Sequence, residues 1–259
     1  TRLLSAGLDG TARVWWRSGA PPAVLRRHRE DSAVAAAWRP DGRHVATAGS
    51  DGAARLWRVD GPEPALVASL LGEPVPRDSE AAPALRDVAW GPAGDRLAIA
   101  GEDGAVRLWR IGGDGAPAAA EKVVLGTGSI ELVRFSPDGG LLACAGEDGD
   151  ARLLALTGDR AGPPRAIGGH AAPIRGLAFS ADGRLLATAS DDGTARVFAL
   201  PGGTPVRELA GHARGLWSVE FDRAGERAVT ASADGTVRIW AVKEPESEPL
   251  ALLGYGQEV

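Results

Sequence analysis

An all-β chain made by repeating one four-stranded antiparallel unit is what this sequence predicts, and three observations predict it. Six Asp-Gly pairs, beginning at Asp9, Asp51, Asp103, Asp148, Asp192 and Asp234, recur at intervals of 42, 52, 45, 44 and 42 residues. An aromatic residue that closes an apolar run, at Trp38, Trp90, Phe135, Phe179 and Phe221, keeps the same intervals over the same span. Each Asp-Gly pair also separates two short runs of small, β-branched or apolar residues, each roughly six residues long and too short for a typical helix. A period of this length end to end means an array of one supersecondary unit.

The unit is clearest in Leu185-Leu-Ala-Thr-Ala-Ser-Asp-Asp-Gly-Thr-Ala-Arg-Val-Phe198. Glycine reaches positive φ without strain and the Asp side chain can bond the turn backbone, so Asp-Gly between two such runs predicts a hairpin.

In chain order, residues 2–7 and 11–16 are strands joined by Asp9-Gly10, and 23–27 is a third strand after Pro21-Pro22. The first unit is therefore entered partway through. The second supplies strands at 34–38, 44–49, 53–58 and 65–70, with turns at Pro40-Asp41-Gly42 and Asp51-Gly52. The one long interval contains residues 71–84, polar and Pro-rich, which predicts a loop because Pro cannot donate to a ladder. A second loop is predicted at 112–120, and a final strand at 249–253. The expected units are 1–28, 29–70, 71–125, 126–168, 169–210 and 211–253, with 23 strands, in one domain over residues 1–259.

Many strand runs are continuously apolar or small rather than alternating, such as Leu-Ala-Ile-Ala-Gly at 97–101 and Leu-Leu-Ala-Cys-Ala-Gly at 141–146. Such strands predict sheets covered on both faces. Four-stranded sheets stacked face to face about an axis provide that cover, which is the β-propeller solution, here with six recognisable blades and the first incomplete.

Composition narrows the function classes. A hydrophobic content of 44% supports a packed core. The net charge of -5 argues against nucleic acid as the main partner. The lone Cys144 excludes an internal disulfide and points to a reducing compartment, hence a cytoplasmic location. No apolar run reaches the length of a membrane span. The chain begins within a repeat and contains no Met, and is read as cut from a longer protein. Its usage, heavy in Ala, Arg, Gly and Pro, is read as bacterial.

Catalytic signatures are wanting. No Gly-x-Ser-x-Gly elbow and no phosphate-binding Gly loop occurs, so neither a catalytic residue nor a cofactor is assigned. Of the four histidines, His28, His170 and His212 fall at one repeat position and would sit on different sheets, which favours structure over metal binding. His44 opens a strand and has no evident partner.

With Gly211-His212, Phe221 and Thr230-Ala-Ser-Ala-Asp-Gly-Thr-Val-Arg-Ile-Trp240 in view, the array resembles the WD-repeat β-propeller family over essentially the whole chain. The resemblance implies a buried hydrogen-bonded chain of His, Ser or Thr, turn Asp and Trp. Carried over, these are His212, Thr230, Asp234 and Trp240, with Ser232 as the alternative hydroxyl, and His28, Thr47, Asp51 and Trp57. The unit of His170, Thr188 and Asp192 has Phe198 in place of Trp. The unit of Asp103 has Trp109 but Ile99 and no His, and that of Asp148 has Cys144, Leu154 and Thr127. Only two units can form the full network, so the rest are expected to be held by apolar packing.

The family tends to bind partners on the rim where the turns between second and third strands emerge. Residues preceding the turn Asp include Glu102, Glu147 and Asp191, and four residues before the first-strand aromatic lie Arg86, Glu131, Arg175 and Trp217. These form the expected mixed-charge face, anchored by Trp217 and overhung by residues 71–84. The function implied is a noncatalytic scaffold for a protein or peptide, part of a larger bacterial signalling or regulatory protein. A small-ligand sensor or an enzyme with a channel site is the alternative. Seven blades is the family's commonest number, so at least one further unit is expected outside residues 1–259. The open edge of the first sheet is expected to favour strand-edge association.

Overall fold

A computed structural model describes residues 2–26, 28, 34–61, 63–71, 82–126, 128–158, 160–244 and 247–253. Among them there are 24 strands and no helix, in two compact units, residues 1–133 and 134–259. The class is all-β, built as sheets of the β-propeller blade type.

The first unit holds three antiparallel sheets. Strands β1 (Arg2–Ala6), β2 (Thr11–Trp16) and β3 (Ala23–Arg26) form a three-stranded sheet. The second sheet runs β4 (Val34–Trp38), β5 (His44–Gly49), β6 (Ala54–Arg58), β7 (Ala65–Leu71), and the third β8 (Leu85–Trp90), β9 (Arg96–Gly101), β10 (Ala105–Ile111), β11 (Pro117–Val124), each in sequence order. The unit boundary falls inside β12 (Ile130–Phe135).

In the second unit, β13 (Leu141–Gly146) pairs with β14 (Asp150–Thr157), which pairs with both β15 (Arg160–Ala161) and β16 (Arg165–Gly169). Two four-stranded sheets follow, β17 (Ile174–Phe179) to β20 (Thr204–Ala210) through β18 (Leu185–Ser190) and β19 (Thr194–Ala199), then β21 (Leu216–Phe221) to β24 (Leu250–Leu253) through β22 (Arg227–Ser232) and β23 (Thr236–Ala241).

Two expectations are corrected. The strand β15 is additional to the 23 expected, because Gly158 permits a second, local reversal that returns two residues onto the end of β14. The loop expected at 112–120 ends at 116, since Pro117 opens β11 at a strand end, where its missing N–H costs nothing. The expectation that residues 71–84 overhang the binding face lies, for 72–81, outside the described residues.

The turns follow the local chemistry. All six glycines after the turn Asp lie at φ between 69° and 85°, where an L side chain would be strained. In the turns between first and second strands, Ser136 and Ser180 hydroxyls donate to Asp138 and Asp182 at 2.5 and 2.6 Å and accept the amides of Leu141 and Leu185.

Within each unit, neighbouring sheets meet small against large. In the first, Ala46, Ala48, Ala54, Leu56 and Leu70 cluster with Leu85, Val88, Trp90, Leu97 and Ile99. In the second, Ala187, Ala189, Ala195 and Val197 cluster with Leu216, Val219 and Trp240. This two-faced burial is why the strands read as continuous apolar runs. Backbones approach closely at Gly176, where an added Cβ would lie 2.8 Å from the Val219 amide nitrogen and 2.9 Å from Ser218 Cα.

Candidate functional site

The repeated polar residues form buried chains inside single sheets. In the last sheet, Trp240 Nε1 donates to Thr230 Oγ1 at 2.8 Å, Thr230 Oγ1 lies 2.8 Å from His212 Nε2, and His212 Nδ1 lies 2.9 Å from Asp234 Oδ2. Asp234 also accepts the Ala213 amide and the Thr236 hydroxyl. Trp57, Thr47, His28 and Asp51 repeat the arrangement at 3.0, 2.9 and 2.9 Å. With the Trp N–H given to Thr Oγ1, the hydroxyl can donate to Nε2 and Nδ1–H to the carboxylate; in the second sheet the guanidinium of Arg55 also lies 3.1 Å from His28 Nδ1. Ser232 is not the alternative hydroxyl: it donates to the carbonyls of Arg214 and Gly215.

The chain ends early in the sheet of His170. His170 reaches Thr188 at 2.7 Å and Asp192 at 2.9 Å, but Phe198 gives no N–H. Burial pushes the His170 pKa below its ordinary 6.5, against the raising effect of Asp192. Burial raises the Asp192 carboxyl, but the Thr194 hydroxyl and amide and His170 outweigh it and hold the pKa at about 2.

In the sheets of Asp103 and Asp148, where His is missing, an arginine pairs with the turn Asp beside buried apolar residues such as Ile99, Cys144 and Leu154. Arg107 forks onto Asp103 at 2.7 and 3.1 Å, joined by Lys122 Nζ at 2.8 Å, and Arg152 meets Asp148 at 2.6 Å. Burial raises the Asp103 carboxyl, and these two cations bring it down to about 2. Ile99 stands where the network hydroxyl would be, and Trp109 Nε1 has no partner among the described residues.

The arginine follows the turn Asp by four residues in all six repeats, as Arg13, Arg55, Arg107, Arg152, Arg196 and Arg238. Where His occupies the Asp, the arginine moves elsewhere: Arg196 donates to the Gly169 carbonyl, and the Arg238 guanidinium lies over the Trp240 ring at 6.0 Å. Arg55, 2% exposed, remains 3.8 Å from Asp51. The sequence carried this signal, but each arginine taken singly reads as a solvated charge.

His44 also has a partner. Its Nδ1 lies 2.7 Å from Oδ2 of the exposed Asp41, and His44 itself is buried, as is Arg39, whose guanidinium covers Trp90 at 5.4 Å and donates to the Gly112 carbonyl. This cluster ties the second sheet to the third. Among the described residues no group of three His, Cys, Asp or Glu could hold a metal, and no helix is long and apolar enough to cross a membrane.

The exposed candidates share a backbone device. Leu85 pairs with Gly101 and Asp87 with Ala100, Ile174 with Ser190 and Gly176 with Ala189, Leu216 with Ser232 and Ser218 with Ala231. Arg86, Arg175 and Trp217 are thus each the extra residue of a one-residue bulge, a feature that turns a side chain out of the alternating pattern. Each emerges beside the turn between second and third strands. Arg86 meets Glu102 at 3.3 Å and Glu131 at 3.6 Å, and Arg175 meets Asp191 at 2.8 Å. Glu147 is exposed at the same turn of its own sheet, and Trp217 is 63% exposed with Leu216 before it fully buried. On each unit, then, bulge residues and turn acids form a polar patch over an apolar core, joined in the second unit by Trp217.

Compared with known families, residues 19–58, 79–110, 124–153, 162–198 and 203–241 match the family described as WD domain, G-beta repeat. No curated protein matches the chain.

Proposed function

Since the chain belongs to the WD domain, G-beta repeat family, whose repeats typically mediate protein–protein interaction and are generally noncatalytic, we propose that it is a noncatalytic scaffold for a protein or peptide partner. The observation that carries this reading is the set of bulges at Arg86, Arg175 and Trp217. Bulges cost ladder hydrogen bonds, and three at one repeat position place three large side chains at the turn end of their strands. Trp217 is the aromatic anchor, a residue type that dominates binding energy when a partner desolvates it. Arg86, Glu102 and Glu131 on the first unit and Glu147, Arg175 and Asp191 on the second supply the charges. Exposed ion pairs are worth about 0–1 kcal/mol, so exchanging them for a partner's groups costs the fold little.

The scaffold is the repeat portion, one domain over residues 1–259, of a larger bacterial signalling or regulatory protein of the cytoplasm. Composition and the single buried thiol of Cys144 support that placement, and the net charge of -5 supports a protein over a nucleic-acid partner. Proximity labelling in the source cell tests the reading. Trp217→Ala is expected to weaken partner binding by about 2 kcal/mol or more and to remove a defined set of labelled neighbours without shifting the melting temperature. Unchanged labelling would overturn the assignment.

A further inference from the structure

Two residues before the turn Asp stands a glycine in four repeats, Gly7, Gly49, Gly101 and Gly146, and a serine in the last two, Ser190 and Ser232. Neither serine hydroxyl takes part in the chains of His, Thr and Asp side chains. Neither can meet a partner from solution, since Ser190 is fully buried and Ser232 only 8% exposed. Each bonds instead to the backbone that leads into the first strand of its own sheet.

Ser232 Oγ lies 3.0 Å from the carbonyl oxygens of both Arg214 and Gly215, to which it donates, and accepts the Asp234 amide at 3.1 Å. The Ala233 amide donates to the same Gly215 carbonyl at 2.9 Å, and Asp234 accepts the Ala213 amide at 2.9 Å. Residues 213–215 are thereby tied to one turn. Directly after them come the buried Leu216, which pairs with Ser232, and the bulge residue Trp217. Ser190 repeats the arrangement one sheet earlier. It donates to the Ala172 carbonyl at 2.9 Å and accepts the Asp192 amide at 3.1 Å, while the Asp191 amide donates to the Pro173 carbonyl and Asp192 accepts the Ala171 amide. The buried Ile174, paired with Ser190, and the bulge residue Arg175 follow. In the third sheet Gly101 brings no hydroxyl to the approach to Arg86, where the Glu102 amide meets the Ala84 carbonyl at 2.9 Å.

We propose that Ser190 and Ser232 are positioning residues for the rim: each fixes the backbone ahead of its bulge, and with it the direction in which Arg175 or Trp217 meets a partner. This rests on the rim being the partner's site. A bulge leaves its extra residue outside the ladder, so the aim of that side chain follows the backbone on either side. On one side the pleat of β21 continues; on the other, residues 213–215 lie outside the strand and are set by the serine and its turn. A loop fixed before binding removes its ordering cost from association.

Fluorine NMR of the whole chain carrying fluorotryptophan reports on Trp217 without any partner. Among the eight tryptophans, its line is the one lost in Trp217→Phe. Ser232→Ala should move or split that line, and so should Ser232→Gly, which installs the residue that four other repeats carry and keeps the test open if the alanine variant does not fold. Ser180→Ala, which removes a buried hydroxyl from the turn between β17 and β18, should leave the line in place. Proximity labelling in the source cell reads the consequence. Ser232→Ala should weaken labelling of the neighbours lost in Trp217→Ala by about two- to tenfold. A Trp217 line unmoved by both Ser232 variants, or moved as far by Ser180→Ala, would overturn the proposal. So would full labelling in Ser232→Ala where Trp217→Ala loses it. If Trp217→Ala loses no neighbour, the reading of the rim fails instead, and the fluorine line alone decides whether Ser232 sets Trp217.

Discussion

Trp240, Thr230, His212 and Asp234 share one hydrogen-bonded chain but not equal weight. The indole is 2% exposed and fills the junction between two sheets, so Trp240→Ala should cost about 3–5 kcal/mol. His212→Ala leaves two buried partners with other bonds available and should cost about 1–3 kcal/mol. Equal losses in urea unfolding would contradict that ranking. The pair of His170 and Asp192 fixes a pH dependence. The folded His170 pKa lies below 6.5, so its contribution is complete above that pH and is lost as pH falls through the folded value. Asp192 behaves likewise lower down, stabilising above 3.8 and losing that stability as pH falls towards about 2. Melting curves of the unsubstituted protein and His170→Gln should therefore differ in slope below pH 6.5; parallel profiles would contradict the assignment. These residue types and their spacing were legible in the sequence because each network is local to one hairpin and its approach. The arginines were not: whether Arg107 meets Asp103 or its counterpart Arg238 covers an indole depends on a histidine some two dozen residues away.

At the level of strands, the alternation of the sequence does not reveal the bulges. A one-residue shift between Leu85 and Asp87, or between Leu216 and Ser218, leaves a strand of the same length and apolar content. Only the pairing registers expose it, although the spacing from the first-strand aromatic did single out the same positions. The bulge in β17 is followed at once by Gly176, a site of close approach to β21. Gly176→Ala should therefore cost about 1–3 kcal/mol through overpacking, whereas Trp217→Ala in the neighbouring bulge should stay within about 0.5 kcal/mol. The reverse order in thermal melts would show that Trp217 serves packing. The pairing of His44 with Asp41 is a further strand-end feature that the sequence held in plain view, three residues apart in one turn. It was missed because the repeat comparison draws attention to positions that recur, and His44 has no counterpart.

The class of the whole molecule was the most legible property, since two markers with one period require an array and short apolar runs around Asp-Gly require strands. The division into two compact units was not legible, because the repeats offer similar apolar runs and only packing tells which of them cluster together. The account rests on a division of labour: repeated buried polar groups hold each sheet together, and bulge residues on the rim recognise a partner. Photo-cross-linking tests it most directly, with a benzophenone side chain placed at position 217 on the rim or at position 206, an exposed valine of the outer strand β20. The account predicts a discrete protein adduct in the source cell from position 217 and none from position 206. Adducts from position 206 alone, or the same adduct from both, would contradict it.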